Sequence, residues 1–124
     1  MARSETLPSR REVVLTKAVC NAAGRLGLSQ AEMAALLGVS APTASRMFRG
    51  EYFLHEARKE FEFGTLLLRL FRSLDAITGG DSRVNAEWMR NANSALGGIP
   101  AELIRTTMGL VDVVTYLDSR RAPL

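Results

Sequence analysis

Residues 29–50 read Ser29-Gln-Ala-Glu-Met-Ala-Ala-Leu-Leu-Gly-Val-Ser-Ala-Pro-Thr-Ala-Ser-Arg-Met-Phe-Arg-Gly50, two short helical segments on either side of a Gly-Val-Ser turn. Ser29 and Glu32 stand in S-x-x-E order, a capping box that satisfies two backbone N–H groups at a helix start. Ala34 is small where two helices must cross closely. Gly38 tolerates the positive φ that ends one helix and turns the chain before the next. Ser40 is placed to cap the second helix, Pro42 is tolerated in its first turn, and Gly50 is placed to end it. In that second helix Ala44, Met47 and Phe48 share one side, while Ala41, Pro42, Ser45, Arg46 and Arg49 recur on the other. Met33, Ala34 and Leu37 continue the packing side in the first helix, and Val39 plugs the turn. A packing face backing an exposed polar face across a sharp turn is the layout of a DNA-reading helix-turn-helix, so DNA is the leading partner.

The residue types on the exposed side suggest how DNA would be met. Gln30 and Ser40, at the two helix starts, can donate to phosphates where helix ends are positive. Arg46 suits a bidentate contact to guanine O6 and N7, Thr43 and Ser45 offer weaker base or phosphate contacts, and Ala41 suits a thymine methyl. Arg49 is assigned to phosphate.

Composition bounds what else the chain can be. Its 124 residues allow one ordinary core or two small helical units, and 47% hydrophobic residues is the proportion of a globular protein. No apolar run approaches bilayer-spanning length, so no membrane partner is expected. The start, Met-Ala-Arg-Ser-Glu-Thr-Leu-Pro, lacks the apolar core of a secretory signal, which points to the cytoplasm. Cys20 is the one cysteine, leaving no intramolecular disulfide, and reads as a buried structural thiol. The net charge of +3 is uneven: residues 1–60 hold nine Arg/Lys against six Asp/Glu, and residues 61–124 hold seven against seven. The basic excess therefore accompanies the helix-turn-helix, where it favours phosphate. His55 is the sole histidine. With no Ser/His/Asp set, no Cys/His pair within one plausible site, no phosphate-cradling glycine loop and no metal-ligand spacing, neither an enzyme, a metal nor a cofactor is expected.

Every remaining element reads as helical. Arg10 to Leu26 carries an apolar stripe through Val13, Val14, Ala18, Val19, Ala22 and Ala23, ending at Gly24 or Gly27. Residues 51–55 form a connection. Glu56 to Ile77 presents Phe63, Leu66, Leu67, Leu70, Phe71, Leu74 and Ile77 on one broad face, ended by Thr78-Gly-Gly80. Asp81 or Ser82 caps a helix from about Val84 to Asn91, and a turn-rich loop leads to Pro100, which opens a short helix through Ile104. The last helix, about Met108 to Ser119, buries Leu110, Val111, Val114 and Leu117. The reading is all-α, divided into residues 1–55 and 56–124.

The second half carries an ordered set of short motifs: Leu70-Phe-Arg-Ser-Leu-Asp-Ala-Ile77, Gly79-Gly80, Trp88-Met-Arg-Asn91, Asn93, Ala95-Leu-Gly-Gly98, Pro100, Leu103, Gly109, Val113 and Tyr116-Leu-Asp118. Their order and spacing resemble the toxin-binding domain of Xre/MbcA/ParS antitoxins, a family that typically places an Xre-like helix-turn-helix ahead of it. The resemblance implies a dimeric, non-catalytic antitoxin, often paired with a RES-fold toxin that acts on NAD. It also implies that residues 56–124 bind the toxin and dimerise, obstructing its NAD site, while the protein represses its own operon. Ala44 departs from the Val or Ile common there, and Ala41 and Pro42 from the usual Gln, Asn or Ser, which thins the base-reading face. Toxin contact is assigned to Trp88, Arg90, Asn91, Asn93 and Tyr116, with Arg120 and Arg121 in the tail as guanidinium plugs for a dinucleotide pocket. The alternative is a transcriptional repressor whose C-terminal half only dimerises, and a third reading is an inhibitor that has lost DNA readout.

Overall fold

The computed structural model describes residues 7–121. Among them the chain forms seven helices: α1 (Arg10–Leu26), α2 (Gln30–Leu37), α3 (Ala41–Phe48), α4 (Lys59–Thr78), α5 (Ser82–Arg90), α6 (Pro100–Leu103) and α7 (Thr107–Arg121). The architecture is all-α, a helix-turn-helix unit followed by a C-terminal helical unit. Asn93 and Gly98 pair in one isolated antiparallel bridge within the loop before α6.

The helix starts follow local chemistry. Ser29 and Glu32 make the reciprocal capping box at α2, with Glu32 N to Ser29 Oγ at 3.1 Å and Ser29 N to Glu32 Oε1 at 2.9 Å. Ser9 and Glu12 make an equivalent box at α1. Ser40 Oγ accepts from Thr43 N at α3, and Asp81 caps α5. Gly38 ends α2 at φ 72°, as the sharp turn requires. At the end of α3 the C-cap is Arg49, with Gly50 one residue beyond at φ 78°.

α4 organises the rest. It packs on α1 along one side and α7 along another, and touches α2 and α5 near its ends. Leu67, Leu70 and Leu74 of α4 join Val19 and Leu26 of α1, Met33 and Leu37 of α2, Met47 of α3, Met89 of α5 and Leu110, Val113 and Leu117 of α7 in one buried cluster. Both units thus share a continuous apolar interior.

The structure corrects several expectations of burial and length. Val14 is 57% exposed, because the inward stripe of α1 runs through Glu12 and Thr16 to Val19. Those polar groups tolerate burial by serving the connection: Thr16 Oγ1 accepts from Leu54 N at 2.9 Å, and Glu12 Oε2 accepts from Glu56 N at 2.8 Å. Glu60, also buried, accepts from Tyr52 Oη at 2.6 Å and from His55 N at 2.8 Å, and α4 begins at Lys59 rather than Glu56, after a turn in which Arg58 N donates to the His55 carbonyl. Burial and the Glu60 carboxylate push the Tyr52 hydroxyl up to about 12. Val111 lies off the inward stripe of α7, whose place Val113 takes, and Ile77 is exposed in the last turn of α4. The C-terminal helix continues to Arg121, so Ser119 does not end it. Cys20 is partly buried beside the Met47 carbonyl, and desolvation raises its thiol pKa. The start of the chain before residue 7 and the tail residues 122–124 lie outside the described residues.

Candidate functional site

The geometry resolves into a polar face on α3 and an aromatic face where α5 meets α7. On α3, Ala44 and Met47 are buried, and Ala41, Pro42, Arg46 and Arg49 are exposed. Ser40 Oγ donates to Thr43 Oγ1 at 2.9 Å, and Arg46 Nη2 donates to the same Thr43 oxygen at 3.1 Å. Ser40, Thr43 and Arg46 are therefore one hydrogen-bonded row along the first turns of α3. Gln30 stands exposed at the start of α2. Arg49 is held elsewhere: Nη1 donates to Ser45 Oγ at 2.7 Å, and Nη2 and Nε reach Glu51 Oε1 at 3.1 and 3.3 Å. Glu51 escaped the sequence reading, and its charge offsets Arg49 at the place where phosphate contact is assigned.

In the C-terminal unit, the rings of Trp88 and Tyr116 stack at 6.5 Å between centroids with 16° between planes. The Arg120 guanidinium lies 5.5 Å from the Tyr116 ring centroid, so Trp88, Tyr116 and Arg120 form one continuous surface from α5 to the end of α7. Both rings are half-buried while Arg120 is exposed, which leaves an apolar platform with a cation at its edge.

The other assigned residues point elsewhere. Arg121 donates to Ser73 Oγ at 3.3 Å, and Ser73 donates to Asp118 Oδ1 at 2.7 Å, tying the end of α7 to α4. Asn91 Nδ2 donates to the Glu87 carbonyl, and Asn93 Oδ1 accepts from Leu96 N, so both shape the loop after α5. Arg90 forms a bidentate pair with Glu32 of α2 and reaches the Gly27 carbonyl, bridging the two units. Its cation is the leading cause holding the Glu32 carboxyl at about 2.

Further polar positions became visible only in three dimensions. Buried Asn85 donates to Asp75 Oδ1 at 2.9 Å and accepts from Thr78 Oγ1, locking the α4–α5 turn that sets Trp88. Among the described residues no cluster of three or more His, Cys, Asp or Glu side chains could hold a metal ion. No helix among them is long and apolar enough to cross a membrane.

Comparison with known proteins finds two family domains in order along the chain. The antitoxin Xre-like helix-turn-helix domain matches residues 7–70, just over half of the chain, and includes α1 to α3. The antitoxin Xre/MbcA/ParS C-terminal toxin-binding domain matches residues 73–122, which include Trp88, Tyr116 and Arg120. A search of curated proteins returned no match. With both domains present in order, the chain belongs to the Xre-like helix-turn-helix antitoxins of type II toxin–antitoxin systems.

Proposed function

We propose that this antitoxin neutralises a RES-type toxin that acts on NAD, by seating residues 56–124 against it and obstructing its NAD site. The observation that carries the reading is the Trp88–Tyr116–Arg120 surface inside the toxin-binding match. A half-buried aromatic pair gives an anchor for a protein partner, and a guanidinium at its edge can pair in a planar fork with a carboxylate of that partner's site. The chain itself supplies no reacting group; it acts by occupancy, in the cytoplasm. Arg121, directed toward Ser73, supports the end of α7, and Arg120 is the plug.

Residues 1–55 contribute repression of the protein's own operon. A homodimer would place two α3 helices on half-sites about 34 Å apart, implying a palindromic operator. The row Ser40, Thr43 and Arg46 supports base reading by Arg46, with Gln30 and Ser40 as phosphate contacts. Co-purification of the chain with the product of the neighbouring gene, followed by mass measurement and an NAD-consumption assay with and without the antitoxin, tests the reading. A stable complex with suppressed NAD loss is expected. A neighbouring product that neither binds nor consumes NAD would overturn it.

A further inference from the structure

One concave surface is used by neither the reading helix nor the aromatic platform. A groove of about 730 Å³ runs between the first half of α1 and the first part of α4, with the end of α7 closing one side. Its floor is apolar, made by Val14, Leu15, Ala18, Phe61 and Leu68. Its rim carries five arginines: Arg10 and Arg11 from α1, Arg69 and Arg72 from α4, and Arg121 from α7.

Among the described residues this arrangement is unbalanced: Glu56 pairs with Arg11, and Asp118 pairs with Arg69 at 2.5 Å, so two carboxylates face five guanidinium groups. Among the described residues, Arg10 and Arg72 have no hydrogen-bond or ion-pair partner. Arg11 lies 5.6 Å from the Phe61 ring centroid, at the boundary between rim and floor. The floor is incompletely covered too, since Val14 is 57% exposed although it sits mid-turn on a helix whose other face is packed.

An occupant must satisfy both features. A phosphodiester backbone would neutralise the rim but leave the apolar floor facing sugar and water. A second copy of this groove would bring guanidinium against guanidinium. An amphipathic segment with carboxylates flanking an apolar stripe answers both, because weakly hydrated guanidinium forks pair bidentately with carboxylates while apolar side chains fill the floor. The lining positions on α1 span residues 10–18 and those on α4 span residues 61–72, roughly 12 to 16 Å of helix, the length of two to three helical turns.

We propose that the groove docks an acidic amphipathic segment of the toxin, as a second contact apart from the Trp88–Tyr116–Arg120 surface. This rests on the toxin-binding reading. It extends that reading into the helix-turn-helix half, because the rim crosses from residues matched by the one domain to Arg121 in the other.

The test titrates the purified, catalytically inactivated toxin from the neighbouring gene into full-length wild type, Arg72→Glu, Val14→Asp and the control Arg83→Glu. Arg83 is exposed and lies outside the groove. Circular dichroism and light scattering are recorded for each free protein. Both groove variants are expected to lose at least tenfold in toxin affinity with unchanged helicity and DNA binding. Arg83→Glu is expected to bind as wild type, and wild-type affinity should fall as salt rises. Should wild type bind no toxin, the toxin reading itself fails. Should wild type bind while both groove variants bind equally well, the groove assignment alone is overturned. It is equally overturned if the variants change only the mass of the free protein, marking a contact between copies, or only its DNA affinity, marking a phosphate track.

Discussion

Arg90 at the end of α5 donates to both carboxylate oxygens of Glu32 in the first turn of α2, at 2.5 and 2.7 Å, while its second nitrogen also reaches the Gly27 carbonyl at 2.5 Å. Glu32 Oε1 simultaneously accepts from Ser29 N, so the capping box that starts the helix-turn-helix is shared with a residue 58 positions away. The C-terminal unit thereby helps to hold the helix on which the reading helix rests.

This sharing predicts an acid-sensitive contribution to stability. Arg90 lowers the Glu32 carboxyl from its usual 4.5 to about 2. A depressed folded-state pKa means that the contribution is complete above about 4.5 and is lost as pH falls from there toward about 2. Glu32→Gln should therefore flatten the stability profile across that window. Arg90→Ala should cost about 1 to 2 kcal/mol at neutral pH, as expected for a partly exposed, charge-assisted bidentate pair. Urea titrations from pH 2 to 7 would show it, and identical profiles for wild type and Glu32→Gln would refute it.

Gly109 is demanded by a close approach. A Cβ there would stand 1.8 Å from the Leu103 carbonyl oxygen, a backbone atom that cannot move aside. Gly109→Ala should destabilise the fold by about 3 kcal/mol or more, by forcing α6 and the start of α7 apart. Gly24→Ala is the contrast: it lies inside α1 with nothing within 4 Å of the added carbon. It should stabilise by about 0.5 to 1 kcal/mol through helix propensity. Thermal melts of the two variants should move in opposite directions.

At the DNA face, Arg46 and Arg49 should behave differently. Arg46→Ala should cost about 1 to 3 kcal/mol on the operator and relax base preference. Arg49→Ala should cost less, since Arg49 is already paired with Glu51. Glu51→Gln removes that competitor and should raise affinity for all sequences alike while steepening the salt dependence. Gel shifts at several salt concentrations on operator and scrambled DNA distinguish these outcomes.

Trp88 is the sole tryptophan, so its fluorescence reads the proposed toxin surface directly. Toxin binding should shift its emission to shorter wavelength as the platform loses water, and Tyr116→Ala should weaken binding by tenfold or more. Arg120→Glu should release NAD consumption by the toxin while leaving thermal stability near wild type, because Arg120 is exposed and, among the described residues, makes no hydrogen bond or ion pair. Emission unmoved at saturating toxin would remove Trp88 from the interface.

The local grammar of this chain was legible without coordinates. Ser29 with Glu32, Gly38, Ser40 and Asp81 act on backbone groups within a few residues of themselves, and each does what its type and position require. The same S-x-x-E signature stands at Ser9 and Glu12, where it caps α1. Burial was less legible wherever a polar side chain could substitute for an apolar one. Glu12 and Thr16 occupy the inward stripe of α1 because the connection at Leu54 and Glu56 needs acceptors, and this turns Val14 outward into the arginine-rimmed groove.

By itself the sequence determined the all-α class, the helix-turn-helix and the order of its two family domains, since these follow from interactions short along the chain and from motif spacing. Only the tertiary structure decided that Arg90 clamps α2, that Arg120 joins Trp88 and Tyr116 while Arg121 turns to Ser73, and that five arginines converge on one groove. A guanidinium finds its partner through space, among residues that no spacing rule brings together until the helices have packed.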